Sequence, residues 1–248
     1  MFKFFLILML VPLAAAAQQK PQKTVVLVHG AFADGSSWEK VIPLLQAKGL
    51  HVVAVQNPLT SLADDVAATR RAIDAQTGPV ILVGHSWGGT VITEAGAHDK
   101  VAALVYVAAF APDAGQSSND LGKDGPPPPG LANIHPDGAG FLVLTPESVA
   151  RDFAQDLPAA QTVVMAVTQG PIFGKSFDER VANAAWKTKP SWFIVAEKDR
   201  MIQPDLEHAM AKKINAKTTA LPTSHVPMLS RPNDVATVIL AAAAAVQQ

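Results

Sequence analysis

Ser86 stands in the run Gly84-His85-Ser86-Trp87-Gly88, between the apolar stretch Pro79 to Val83 and the helical pattern Thr90 to Ala97. A serine between glycines at a strand-to-helix turn is the G-x-S-x-G elbow, a strained turn that holds the hydroxyl exposed at the top of a sheet. A Cβ at Gly84 or Gly88 would crowd such a turn, and the helix starting behind the serine favours negative charge developing there. In a chain of this composition the pattern arises by chance about 0.05 times, so string and setting together single out Ser86 as a nucleophile.

A serine hydroxyl is a weak nucleophile at neutral pH, so it needs a base within hydrogen-bond reach and a third group to orient that base. The chain has seven histidines. His51 opens a strand-like run, His98 and His208 lie on helical stretches, and His135 sits in a proline-rich segment. His85 belongs to the elbow and is expected to point away from Ser86. His225 differs: in Pro222-Thr223-Ser224-His225-Val226-Pro227 it follows the last strand-like run, at the sheet edge where α/β folds bind ligands. It is the predicted base. Asp199, in Glu197-Lys198-Asp199-Arg200, follows the run Trp192 to Ala196 at the same edge and is the predicted orienting acid, with Glu197 and Asp113 as rivals. The order Ser, Asp, His is the one expected with this elbow, and activity is expected to fall in acid as the base protonates. Two N–H donors for an oxyanion are expected at Trp87, the residue after the nucleophile, and in His29-Gly30-Ala31-Phe32, where Gly30 permits an unusual backbone angle. Ala31 is the first choice there and Phe32 the second.

The elements that would carry these residues alternate. Thr24 to Val28 is a short apolar, β-branched run, as a strand buried on both faces should be. Ser36 and Glu39 form a capping box ahead of Val41, Leu44 and Leu45, with Gly49 ending the helix. His51 to Val55 then reads as a strand, Ser61 to about Ala75 as a helix, and Pro79 to Val83 and Val101 to Val107 as strands. After them come a strand at Trp192 to Ala196, a helix at Pro204 to Ile214, a strand at Thr218 to Leu221 and a helix at Pro232 to Val246. The alternation predicts an α/β fold, a mostly parallel doubly wound sheet with helices on both faces. Residues 112–190 break the rhythm and read as an insertion over the sheet, with no clear strand but short helical patterns at Ala150 to Phe153 and Glu179 to Trp186. The proline run Pro126 to Pro129 marks Asp113 to His135 as an irregular surface loop. Phe32, Trp87 and Trp186 suggest an apolar or aromatic substrate site.

The 248 residues are 49% hydrophobic and 17% charged, enough for one sizeable core. Twenty Lys and Arg against 21 Asp and Glu leave a net charge of −1, which is no footprint for nucleic acid. Zero cysteines exclude disulfides, thiolate metal sites and a thiol nucleophile. Met1 to Ala17 has Lys3, an apolar run from Phe4 and small residues at Ala15 and Ala17, the layout of a secretory signal. At 14 residues, Phe4 to Ala17 is short of the roughly 20 that span a bilayer, so export to the periplasm or outside is expected rather than a permanent membrane anchor. A domain over residues 18–248 would remain.

Together, Val28-His29-Gly30-Ala31-Phe32, the elbow, Ala196-Glu197-Lys198-Asp199 and Ser224-His225-Val226-Pro227 resemble the α/β-hydrolase superfamily, and within it small serine esterases of the methylesterase and hydroxynitrile lyase group. The resemblance implies a carboxylic ester hydrolase with a triad of Ser86, Asp199 and His225, and oxyanion donors at Ala31 and Trp87. It further implies a short helical cap, a small-molecule ester as substrate, and neither metal nor cofactor. The cyanogenic lyases of the group carry Lys after the catalytic His, where this chain has Val226, and Thr in place of Gly30, which disfavours lyase chemistry. The fold also hosts ligand receptors and cofactor-independent oxygenases, which form the alternative reading.

Overall fold

The computed structural model describes residues 22–123 and 125–246, so the segment Met1 to Ala17, expected to direct export, lies outside the described residues. Six strands, β1 (Thr24–Val28), β2 (His51–Val55), β3 (Val80–Ser86), β4 (Val101–Ala109), β8 (Ser191–Ala196) and β9 (Lys217–Leu221), form one parallel sheet in the order β2-β1-β3-β4-β8-β9. All residues of β1, β3 and β8 are buried, the reason they are continuous apolar runs rather than alternating ones.

The chain leaves β1 toward one edge through α1 (Ile42–Gln46). It then runs to the other edge through α2 (Leu62–Asp74), α3 (Trp87–Ala95) and α7 (Pro204–Lys213), before α9 (Pro232–Ala245) closes it. Right-handed crossovers therefore place α1 and α9 together on one face and α2 and α3 on the other. The direction reverses between β1 and β3, which makes the carboxyl ends of those two strands the switch point where such folds bind ligands. The core between the layers is dense in large side chains: Trp38, Ile81, Leu82, Ile92 and Tyr106 are fully buried, and Tyr106 stacks on Phe193 at 5.8 Å.

The first helical segment departs from expectation. Ser36 is not its cap; Asp34 accepts from the Ser36 N–H at 2.6 Å to start a single 3₁₀ turn over Gly35–Trp38. The α-helix begins only at Ile42, because Pro43 has no N–H and is tolerated in a first turn alone. β3 and α3 both extend to the elbow, so strand passes into helix with no intervening loop.

Between β4 and β8 the insertion carries the larger correction. It is not purely helical: β5 (Ile134–Pro136), β6 (Phe141–Leu144) and β7 (Ile172–Phe173) form a small antiparallel sheet. Strands of two to four residues are too short to show a period. Helical pieces surround it: α4 (Ser118–Leu121), α5 (Pro146–Ser148) running into a π-helical turn at Val149–Phe153, and α6 (Ala159–Thr168). The pattern read at Glu179 to Trp186 is not a helix; only Ala185–Lys187 makes a 3₁₀ turn. One short helix after β9, α8 (Pro227–Ser230), follows His225 directly. Among the described residues no helix is long and apolar enough to cross a membrane.

Candidate active site

Ser86 is the last residue of β3 and the N-cap of α3, with backbone angles φ 51° and ψ −121°. For a residue with a Cβ this conformation costs on the order of 1–3 kcal/mol. A serine at an N-cap ordinarily turns its hydroxyl back onto the helix N–H groups. Ser86 makes no such capping bond, and it lines a cavity instead. The glycines around it are set by contact distance. A Cβ on Gly84 would lie 2.5 Å from the Gly88 carbonyl oxygen, one on Gly88 2.5 Å from that of Val28, and one on Gly89 2.3 Å from that of Phe110.

Gly30 is also explained by space, and not by the unusual angle expected of it. Its φ is not among the positive values, which fall at Gly49, Gly115 and Gly140, but a Cβ there would meet the Ser86 Cβ at 2.7 Å. The left-handed residue of that loop is Phe32, φ 57°. Ala31 and Phe32 line the same cavity as Ser86. Across from them the Trp87 N–H opens α3, where a helix leaves its first N–H groups without an internal partner.

His225 and Asp199 meet directly: His225 Nδ1 lies 2.5 Å from Asp199 Oδ2, and both residues are buried. Asp199 Oδ1 accepts the backbone N–H groups of Met201 (2.6 Å) and Ile202 (2.9 Å), which fixes the carboxylate in the turn after β8. His225 lines the cavity together with Ser86, while Asp199 stands behind it. The rival acids are elsewhere. Asp113 pairs with Lys187 (2.5 Å) and Lys213 (3.9 Å), and Glu197 pairs with His208 at 2.9 Å, partly exposed.

Two supports were not legible in the sequence. The His85 ring, 4.7 Å from that of His225, has its Nε2 2.8 Å from the His225 backbone carbonyl oxygen. Burial, and then the neighbouring His225, hold the His85 pKa well below the ordinary imidazole value, so His85 is neutral and its Nε2–H donates to that carbonyl. Behind the elbow, Trp87 Nε1 donates to Asp65 Oδ2 at 2.8 Å. The other oxygen of Asp65 accepts from Leu59 N–H, a left-handed residue at φ 59°. Burial pushes the Asp65 carboxyl up to about 6. The Trp87 ring packs edge-on against Phe177 at 5.3 Å and takes no part in the cavity wall, contrary to expectation. Trp186 is also off the cavity, donating to the Pro112 carbonyl with Lys187 and Lys213 over its ring.

The cavity has a volume of about 760 Å³. Phe32 and Phe110 line its core side, and Leu131, Leu142, Phe153 and Phe177 its cap side. The irregular loop expected over Asp113 to His135 is irregular only in part, since α4, a 3₁₀ turn at Pro129–Asn133 and the start of β5 lie within it, and Pro126 to Pro128 line the cavity. A hydroxyl on a strained turn, an imidazole held by a carboxylate and an apolar chamber over both can bind and attack an acyl group.

The alpha/beta hydrolase family profile matches residues 25–238. The chain belongs to that family. Among curated proteins it is 28% identical to a probable hydrolase of Phoma sp., over 87% of this chain and 96% of that one. It is equally 28% identical to methylesterase 3 of Arabidopsis thaliana (90% and 97% covered) and to a pyrethroid hydrolase of Sphingobium wenxiniae (87% and 85%). Among solved structures, a pyrethroid hydrolase superposes with a TM-score of 0.80 at 25% identity, covering 90% of this chain and 98% of that one. Polyneuridine aldehyde esterase, at 20% identity, shares the fold with a TM-score of 0.76 and 89% and 98% coverage. These relatives put the α/β hydrolase among the carboxylic ester hydrolases, in the company of the methylesterases.

Proposed function

We propose that this hydrolase cleaves carboxylic esters bearing bulky apolar or aromatic groups, through an acyl-enzyme on Ser86. The observation that carries the reading is that Ser86 and the Asp199-backed His225 open onto one chamber of about 760 Å³ whose walls are mainly apolar. A chamber of that size suits a drug-sized ligand rather than an acetyl group alone. The naming of relatives as a pyrethroid hydrolase and as methylesterases agrees with it.

In this mechanism Ser86 Oγ attacks the ester carbonyl while His225 Nε2 takes its proton, and Asp199 keeps the other proton on Nδ1. The carbonyl oxygen, now negative, takes hydrogen bonds from the backbone N–H groups of Ala31 and Trp87, each worth about 3 kcal/mol in comparable sites. Collapse of the tetrahedral intermediate breaks the bond to the alcohol, which leaves with the proton from His225. Water then attacks the acyl group with His225 again as base, releasing the acid and restoring Ser86. The Val226 side chain after His225 offers no ammonium to bind cyanide, which argues against the lyase variant.

A series of p-nitrophenyl esters of increasing acyl length tests the substrate class. The expected result is a kcat/KM that rises by about tenfold or more from acetate to the medium-chain and aryl acyl groups, since each buried methylene adds about 0.8 kcal/mol. A maximum at acetate would refute an apolar acyl site. Binding of apolar esters without turnover of any of them would favour the receptor reading.

A further inference from the structure

Asp199 is an acceptor only, with room for about four donors on its two oxygens. Three are in place: the N–H groups of Met201 and Ile202 on Oδ1 and the His225 ring on Oδ2. The fourth neighbour is another carboxyl. Glu207, fully buried on α7, reaches back under β8: its Oε2 accepts the Ala196 N–H at 3.0 Å, and the Ala196 carbonyl in turn accepts the Asp199 N–H at 3.0 Å, so the Glu207 carboxyl adjoins the turn that holds Asp199. Glu207 Oε1 meets no donor, and no Lys, Arg or His pairs with this side chain among the described residues. The remaining charge nearby is of like sign, Glu197, itself turned to His208.

Two adjoining ionised carboxylates, one fully buried and without a cation, would face both desolvation and mutual repulsion. A shared proton removes both costs and supplies the missing donor. We propose that Glu207 is a positioning residue of the catalytic relay: a neutral carboxylic acid whose O–H donates to Asp199 while its other oxygen holds the strand end at Ala196. Burial first, then the charge of Asp199, raise the Glu207 pKa well above the ordinary carboxyl value, in keeping with this. The consequence is that Asp199 carries a charge shared over four donors, is locked in the plane of the His225 ring, and is kept from swinging toward α7. The inference rests on the reading of Asp199 as the acid of the hydrolase.

The test compares Glu207→Gln with Glu207→Leu in the full chain. A glutamine amide still donates to Asp199 and still accepts from Ala196, so Glu207→Gln should keep kcat and the acid limb of the kcat/KM profile within about twofold of the parent. Glu207→Leu removes the donor, so kcat should fall by about tenfold with KM little changed, and the acid limb should move as His225 feels a less shared carboxylate. Equal activity and an unmoved limb in a folded Glu207→Leu variant, or a Glu207→Gln variant as impaired as Glu207→Leu, would overturn the assignment. Infrared spectra in mildly alkaline buffer give a readout free of activity and of the leucine variant's folding. The carbonyl stretch of a buried protonated acid should be present in the parent and missing in Glu207→Gln; spectra that coincide would sink the proposal even if esterase activity is found, and a missing band difference is separable from a failure of the hydrolase reading itself.

Discussion

At the residue scale the site depends on one short contact, 2.5 Å between His225 Nδ1 and Asp199 Oδ2, made between buried groups. Asp199→Asn keeps the shape but offers an amide N–H where an acceptor is needed, so the imidazole is turned to the wrong tautomer. Steady-state kinetics should show kcat lowered by on the order of 10⁴ with the fold intact by circular dichroism. A loss under tenfold would mean another group orients His225. Ser86, Asp199 and His225 are expected together from the sequence because each sits just past an apolar run whose end a fold of this class must bring to one edge. Asp65, His85 and Glu207 are not. Asp65 meets Trp87 across 22 residues and His85 meets the His225 carbonyl across 140, and nothing local marks a polar residue on a helix or strand as destined for such a partner.

Elements explain why the elbow holds its strained turn. α2 packs on α3, and its single buried carboxylate, Asp65, ties the left-handed Leu59 to the Trp87 ring just past Ser86. Burial, the largest influence, raises the Asp65 pKa from 3.8 to about 6. A raised folded-state pKa means that the folded protein binds this proton more tightly than the unfolded chain. The stability it contributes is therefore full below about pH 3.8 and is lost as pH rises through about 6, up to about 3 kcal/mol in all. Asp65→Asn cannot titrate. Urea unfolding of both proteins across this range should show the parent's stability relative to Asp65→Asn falling by about that amount as pH rises from 4 to 7; a difference independent of pH would contradict the burial account. The central strands are legible as continuous apolar runs because both their faces are buried, and the long helices because burial of one face stamps a period on the sequence. α6 was not, since Val163, Val164 and Val167 are exposed and blur its apolar stripe.

On the scale of the whole molecule, the insertion is bound to the very loops that carry Asp199 and His225. Asp152, buried on the π-helical turn, pairs with Arg200 beside Asp199 (2.8 Å), Asp156 accepts from the Ser224 N–H beside His225 (2.9 Å), and Gln155 donates to the Lys198 carbonyl (2.6 Å). Phe153, from the same turn, packs its ring 5.1 Å from that of His225. Cap and the loops of Asp199 and His225 are thus tied together on this side of the chamber. Asp152→Asn weakens the pairing with Arg200 and with Arg151, at a cost of about 1–3 kcal/mol for a charged hydrogen-bonded group. It should lower the midpoint of thermal unfolding by a few degrees and kcat/KM for the bulkiest ester several-fold, with a smaller effect on the acetate ester. Equal losses on every ester would place the effect in the relay rather than in the cap.

The central claim is that Ser86 is acylated during turnover. Intact-protein mass spectrometry after treatment with a fluorophosphonate, followed by peptide mapping, tests it most directly. One adduct per chain, on the peptide holding Gly84-His85-Ser86-Trp87-Gly88 and lost in Ser86→Ala, is the predicted result. An unmodified parent protein that still hydrolyses esters, or an adduct on another residue, would contradict it.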